Sequence, residues 1–290
     1  MLTYQPINIF NNSNFPEESI YADDYDNITT NFEVKRNFNK VVKNILIEDN
    51  LKINENKTEH TTYERKNKSN EYTCEQVDDL KLCIKRHELE NWRTVKKLGS
   101  LLGDHEDIER RKQLSIAALH KMNNVWLRKD KIRQEMRIKL YKSLIKPILL
   151  YNSATWGITK SEEESLNSFH RKQLRHVLNI KYPTVMKNKK VYEVTKENIL
   201  SLDILNCRWK LFGSTLRQHQ DSPAQKSMVY YFEKNSSLFK GRPRTTLPIT
   251  INNDIKLAAR IKQIDIKYGI NSFMSKYDLG KLRLVAENYS

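Results

Sequence analysis

Apolar residues recur at helical spacing in five stretches of the chain, and they predict a mainly α-helical protein with a small α+β part. Apolar positions at i, i+3, i+4 and i+7 mark one face of an amphipathic helix. The five stretches are 35–49, 108–127, 130–151, 161–178 and 203–217. The pattern weakens after about Ser222. Neither a repeat nor a low-complexity tract interrupts the chain.

An aspartate, a proline and two glycines predict where some of these elements begin, turn or bend. Asp104 is in a position to cap the helix that follows it, and Pro147 predicts a kink in the helix over 130–151. Val95–Gly103 is apolar with two glycines, which predicts a tight hairpin. Three tryptophans fall within the apolar patterns and are predicted to pack in the core. They are Trp126, Trp156 and Trp209.

The distribution of charge points to an anionic partner. The 290 residues carry a net charge of +16. Residues 1–90 hold 12 Lys and Arg against 17 Asp and Glu, a net charge of −5, whereas residues 91–290 hold 39 against 18, a net charge of +21. A strong positive balance predicts nucleic acid as a partner, either DNA or RNA.

Cysteine count and hydropathy bear on the compartment. Three cysteines in no regular framework predict a reducing environment. The most apolar stretch, Leu144–Tyr151, is too short to span a bilayer and contains Lys146. Because the first ten residues carry no basic segment followed by an apolar one, we expect an intracellular protein that is not secreted and not in a membrane. Nothing in the pattern decides between nucleus and cytoplasm, or fixes the oligomeric state.

The sharpest chemical feature is Tyr21-Ala22-Asp23-Asp24. Two adjacent carboxylates on a tight turn suit a divalent metal site, and two-metal phosphoryl transfer uses such carboxylates to hold Mg²⁺. The alternative is an ordinary acidic turn. The flanking residues are polar, with Glu17 and Glu18 before the turn and Asp26 after it, so we expect weak strand character there.

The order of motifs after this turn resembles the reverse transcriptases of non-LTR (LINE-type) retrotransposons, in which YADD is the central active-site motif. Segments similar to the palm, primer-gripping hairpin, thumb and C-terminal motifs of that family follow in the family's order. They are 50–59 (NLKINENKTE), 95–103 (VKKLGSLLG), 108–118, 140–144, 150–156, 169–175, 208–213 and 240–244 (KGRPR). The resemblance covers 21–290 and is strongest over 92–220.

The resemblance implies an architecture and roles for matched residues. A partial palm is expected over 1–103, a helical thumb over 104–158 and a basic helical C-terminal region over 159–290. Asp23 and Asp24 resemble the catalytic pair that binds Mg²⁺. Lys57 resembles the palm lysine that protonates the leaving pyrophosphate, although a surface lysine fits its polar context equally well.

Further residues resemble the family's contacts with nucleic acid. Leu98 and Gly99 resemble the grip on the primer end, and a plain hydrophobic hairpin is compatible with them as well. Basic helix faces are expected to contact phosphates, the alternative being solvated surfaces. The segment 240–244 either enters a minor groove or is a basic loop. The residues expected to contact nucleic acid are Tyr21, Leu98, Gly99, Arg110, Arg111, Lys112, Arg171, Lys172, Arg175, Arg242 and Arg244.

The function implied by the resemblance is RNA-directed DNA synthesis, primed at a nicked target, with a template–primer duplex and the element RNA as partners. The family's third carboxylate and its fingers lie upstream of YADD, and residues 1–20 are too few to contain them. We therefore expect a fragment of such a polymerase, from a gene model or an element relic, that does not polymerise alone. The alternative is a non-catalytic nucleic-acid-binding protein built from the thumb and the C-terminal region.

Overall fold

The computed structural model describes residues 18–21, 24–27, 32–52, 92–126, 131–219, 221–234 and 245–262. These ranges are mainly α-helical with two small two-stranded sheets, which confirms the predicted fold class at this level. The chain divides into two compact units, 1–92 with 220–230 and 93–219 with 231–290.

The described residues before Trp92 in the first unit form a β-hairpin and one long helix. Strands β1 (Glu18–Tyr21) and β2 (Asp24–Asn27) are antiparallel, and Tyr21 lies opposite Asp24. The expectation of weak strand character was therefore wrong, because an antiparallel ladder is built from backbone groups and tolerates polar side chains. Helix α1 (Phe32–Glu48) confirms the helix predicted over 35–49.

The second unit begins with the predicted hairpin. Strands β3 (Lys96–Lys97) and β4 (Ser100–Leu101) are antiparallel, with Lys96 opposite Leu101. Helix α2 (Asp104–Lys121) and the short helix α3 (Asn123–Trp126) follow. Together they confirm the predicted helix over 108–127, with an interruption at Met122.

The predicted cap of α2 was wrong. Gly103 is the N-cap residue, and no side chain caps the helix. Asp104 lies one residue further along, inside the first turn. Its Oδ2 atom accepts a hydrogen bond of 3.1 Å from the backbone N–H of Gly157, 53 residues later. The carboxylate therefore serves a long-range contact.

A π-helical turn directly precedes Pro147, where a kink was predicted. Helix α4 (Gln134–Leu140), the π turn (Tyr141–Ile145) and helix α5 (Lys146–Leu150) follow one another without a break. Proline has no N–H for the carbonyl four residues earlier. The wider π turn ends just before Pro147. The pattern of backbone hydrogen bonds therefore changes at the point where proline, which has no N–H, would leave a carbonyl oxygen without a donor.

Helix α6 (Lys160–Val177) begins with a capping box. Thr159 Oγ1 accepts a hydrogen bond from the Glu162 N–H at 3.3 Å, and Glu162 Oε2 accepts one from the Thr159 N–H at 2.9 Å. Four further helices complete the described ranges. They are α7 (Asn188–Thr195), α8 (Leu200–Arg217), α9 (Pro223–Lys234) and α10 (Leu247–Lys262). Of these, only α8 was predicted from apolar spacing.

Two hydrophobic clusters form the core of the second unit, and both combine residues from before and after position 158. Trp156 and Trp209 are each 1% exposed, which confirms their predicted core packing; the side chain of Trp126 lies outside the described residues. One cluster contains Leu119, Ile138, Tyr141, Ile145, Leu174, Val177, Leu178 and Val191. The other contains Ile108, Leu149, Trp156, Leu166, Leu200 and Ile204.

Candidate nucleic-acid interface

The hairpin tip has an unusual backbone that the helices behind it hold in place. Leu98 and Gly99 both have positive φ angles, of 47° and 80°. Two consecutive positive φ angles are typical of a tight two-residue hairpin turn, but leucine rarely adopts one. The Tyr151 hydroxyl donates a hydrogen bond of 2.7 Å to the Leu98 carbonyl, which helps to fix this conformation.

Two arginines on α2 converge on the next carbonyl of the turn. Arg110 donates to the Gly99 carbonyl oxygen at 2.7 Å, and Arg111 donates to the same oxygen at 2.5 Å. Arg111 also donates to Ser100 Oγ at 2.9 Å, and its guanidinium lies 4.2 Å from the centre of the Tyr151 ring. The charges of both arginines are therefore directed at the backbone of the hairpin.

Asp107 lies beneath these arginines and joins three parts of the second unit. Its side chain is 1% exposed. One carboxylate oxygen accepts from the Leu101 N–H at 3.0 Å, and the other accepts from the Trp156 indole N–H at 3.0 Å. Arg111 Nε lies 3.6 Å from the first of these oxygens. Burial lowers the pKa of Arg111, and the Asp107 carboxylate opposes that shift. A buried charge pair thus fixes the hairpin, α2 and Trp156 together.

The outer side of this hairpin is left to the solvent. The Leu98 side chain is 52% exposed at the tip, and Lys96 and Lys97 are exposed on β3. Arg111, by contrast, is 6% exposed, and its donors face inward. Contacts of Leu98 and Gly99 with a primer stay a prediction. The hairpin is held by hydrogen bonds from Arg110, Arg111 and Tyr151 and has an exposed leucine at its tip.

A second basic surface has a different character. Residues 165–192, which we call the basic segment, hold seven Lys and Arg and not one Asp or Glu. They form most of α6, the following loop and the start of α7. Lys172, Lys181, Lys187 and Lys190 are exposed. Within the ranges that the structure describes, none of these four ammonium groups takes part in a hydrogen bond or an ion pair.

Arg175 differs from its neighbours on α6 because it holds the loop of the basic segment. Its guanidinium donates to the Met186 carbonyl at 3.0 Å and to Asn188 Oδ1 at 2.7 Å. Arg171 is half-buried and Lys172 is exposed on the same helix. The three predicted phosphate contacts on α6 thus comprise one loop anchor and two cations without such bonds.

Lys112 connects two helices. Its ammonium group lies 2.7 Å from Glu109 Oε1 and donates to Ser165 Oγ at 3.1 Å, which ties α2 to α6. The side chain is 11% exposed. A phosphate contact by Lys112 would have to compete with these two partners.

The remaining predicted site residues fall mostly outside the described part of the chain. Asp23, Lys57, Arg242 and Arg244 lie outside it altogether. The backbones of Tyr21 and Asp24 are described, at the inner ends of β1 and β2. The carboxylates that would hold Mg²⁺ are not among the described side chains, so the magnesium site stays a prediction. The described residues contain no group of three or more His, Cys, Asp or Glu that could hold a metal ion.

Sequence reasoning missed the roles that three residues have at these surfaces. Asp107 and Trp156 form the buried support of the hairpin, and Tyr182 is the most exposed large hydrophobic side chain of the basic segment. The pair Asp107–Arg111, four residues apart on one helix, was a readable signal. The contact with Trp156 was not, because 49 residues separate the two positions.

The comparisons with known proteins leave the family open. No family model, no curated protein and no solved structure matches the chain. None of the helices in the described ranges has the length and the hydropathy that crossing a bilayer requires. What the chain does must therefore be argued from its own surfaces.

Proposed function

We propose that the second unit of this protein binds a template–primer duplex, as the thumb and basic C-terminal region of an RNA-directed DNA polymerase of the non-LTR retrotransposon type. The observation that carries the proposal is the basic segment. Seven cationic residues lie within 28 on α6, the following loop and α7, without one acid among them. Four of them have ammonium groups without a hydrogen bond or an ion pair in the described ranges, namely Lys172, Lys181, Lys187 and Lys190. Such a surface attracts the phosphates of nucleic acid and gains affinity by releasing their counterions.

The hairpin supports the same proposal in a different way. Its cations at Arg110 and Arg111 position the turn, so the exposed tip at Leu98 is set before any ligand arrives. A preorganised contact costs less entropy on binding than a mobile loop. In the proposed arrangement the tip contacts the primer strand and the basic segment contacts the phosphates.

Polymerase activity within this proposal rests on Asp23 and Asp24. Mg²⁺ bound by such a pair would supply charge stabilisation at the attacking and leaving oxygens. The alternative, a non-catalytic nucleic-acid-binding protein, shares the binding surface and lacks the synthesis. Because a fragment of such a polymerase is expected not to polymerise alone, the full chain should bind the duplex and extend no primer on an RNA template with Mg²⁺. Extension that is lost in Asp24→Asn would contradict this expectation and exclude the non-catalytic alternative.

The binding test uses a salt series on a blunt RNA–DNA duplex. Contacts with roughly 5 to 8 phosphates predict that log K falls with log salt at a slope of about −4 to −7. The variant Lys172→Glu with Lys190→Glu should weaken binding at least about tenfold and flatten the slope by about 2. Preference among sequences should be small, because phosphate contacts position the protein without reading bases.

A matched control separates a local surface from net charge. The variant Lys160→Glu with Lys210→Glu makes the same change in net charge at two exposed lysines outside the basic segment. Lys160 begins α6 and lies about 18 Å from Lys172 along the helix. The control should bind within about twofold of the wild type. Equal losses in both variants, or a slope near zero in the wild type, would contradict the proposal.

A further inference from the structure

The loop between α6 and α7 exposes two large apolar side chains to solvent. Tyr182 is 93% exposed and Val185 is 86% exposed, far more than any other large apolar side chain in the described ranges. Single exposed apolar residues are common on protein surfaces. Two within four residues of one loop, both almost fully exposed, need an explanation from their setting.

The setting is a loop whose ends are fixed to the core. Ile180 and Met186 pack against the cluster that contains Val177 and Val191. The Thr184 N–H donates to the Lys181 carbonyl at 2.9 Å, which closes the turn. Arg175 holds the Met186 carbonyl and Asn188. The ends of the loop thus have their contacts within the protein, and Tyr182 and Val185 extend outward from an anchored backbone.

The charged residues of the loop and of the first turn of α7 are all lysines. Lys181 and Lys187 flank it, and Lys189 and Lys190 lie in the first turn of α7. Lysines at the N-terminal end of a helix oppose its dipole, so they cost stability where they stand. The nearest acid along the chain, Glu193, approaches Lys189 only to 4.0 Å, and the Lys189 side chain remains 91% exposed. A negatively charged ligand would relieve this arrangement.

We propose that this loop binds unpaired nucleotides, with a base stacked on the Tyr182 ring, Val185 against its edge and the lysines on the phosphates. The inference rests on the proposed function only in taking nucleic acid as the ligand. Aromatic rings beside cations are the means by which proteins hold single strands, because every base has a face on which to stack. A fully paired duplex offers no free base face, so the loop selects the single-stranded part of a substrate.

The test compares two probes that differ only in an overhang. One is the blunt duplex, and the other is the same duplex with an eight-nucleotide unpaired pyrimidine overhang. Tyr182→Ala should weaken binding of the overhang probe by about 5- to 100-fold, and leave the blunt duplex within about twofold. Tyr182→Phe keeps the ring and should retain the wild-type affinity. A 2-aminopurine in the overhang should be quenched by the wild type and by Tyr182→Phe, and not by Tyr182→Ala.

Controls separate this site from a general apolar effect and from a lipid surface. Leu211→Ala removes an exposed apolar side chain on α8, 46% exposed, and should change neither probe. Basic and aromatic residues also suit an anionic lipid surface, and cosedimentation with phosphatidylserine vesicles tests for binding to one. An overhang affinity that Tyr182→Ala leaves unchanged would overturn this proposal alone, whether or not vesicle binding falls. Failure of the wild type to bind either probe would overturn both proposals.

Discussion

The hairpin support and the basic segment both contain cationic side chains, but the first pairs them within the fold and the second leaves them exposed. Around the hairpin, Arg110 and Arg111 direct their donors to a backbone carbonyl, and a buried aspartate balances them. In the basic segment, Lys172 and Lys190 are exposed without a bond, and no acid lies among residues 165–192. A cation contributes to a binding surface only when the fold leaves it unpaired. The cations of a sequence therefore have to be separated into those that are paired within the fold and those that are left exposed, because only the second group indicates a ligand.

The largest expected effect concerns the internal charge pair. Asp107→Asn leaves the Arg111 guanidinium buried without its counter-charge and weakens the acceptor for Leu101 and Trp156. Breaking one side of a buried ion pair costs about 3 to 5 kcal/mol, and urea denaturation should show a loss of this order. A more exposed acid offers a control, because Glu109 is 48% exposed and Glu109→Gln beside Lys112 should cost less than about 1 kcal/mol. An unchanged urea midpoint for Asp107→Asn would mean that the hairpin does not depend on the pair.

The second effect concerns the inner face of α6, opposite in character to its basic outer face. His170 is fully buried between Tyr141 and Tyr192, with both ring nitrogens lacking a hydrogen-bond partner. Burial, and then the positive charge of Lys146, lower the pKa of His170 to about 4, with Glu197 opposing the shift. The imidazole is therefore neutral in the folded protein at neutral pH.

The consequence is a loss of stability in acid. The unfolded chain binds a proton at His170 near pH 6.5, whereas the folded chain does so only near pH 4. The contribution of His170 to the free energy of unfolding is thus complete above pH 6.5 and falls as the pH drops towards 4, by about 2 to 3 kcal/mol. Urea denaturation at pH 7 and pH 4.5 measures it. His170→Phe, which cannot titrate, should lose less stability over this interval than the wild type. Parallel pH profiles would assign the loss to other groups.

The fold was predictable where the information is local. The apolar stripes give α1, α2, α6 and α8, and the glycines of 95–103 give the hairpin. The capping box at Thr159 and Glu162 was also readable, since its residues are three apart. Helix α7 was not, because it is eight residues long with only Val191 and Thr195 buried and has lysines in its first turn. Its helical state depends on packing against the core cluster, which no local pattern contains.

The candidate site was predictable only as a set of residues, without their division into roles. The basic faces of α2 and α6 look alike in the sequence, with Arg110, Arg111 and Lys112 on one and Arg171, Lys172 and Arg175 on the other. What distinguishes the internally held arginines is a backbone carbonyl that accepts their hydrogen bonds. The Gly99 carbonyl accepts from Arg110 and Arg111, and the Met186 carbonyl accepts from Arg175, each from a turn of the chain 11 or 12 residues away. Such contacts follow from tertiary geometry and carry no sequence signature.

The smallest expected effect compares two cations on the same helix, one internally bonded and one exposed. Arg175→Ala removes the hydrogen bonds to the Met186 carbonyl and to Asn188, and each such bond contributes about 0.5 to 1.5 kcal/mol. Because the guanidinium is only half-buried, we expect a total loss of about 1 kcal/mol in the free energy of unfolding. Lys172→Ala, three residues earlier and exposed, should change it by less than about 0.5 kcal/mol. In duplex binding the two variants should rank the other way, with Lys172→Ala losing more than its stability change explains. If Arg175→Ala left stability unchanged and weakened binding as strongly as Lys172→Ala does, Arg175 would belong to the cations that are left exposed, and the loop would owe its position to Ile180 and Met186 alone.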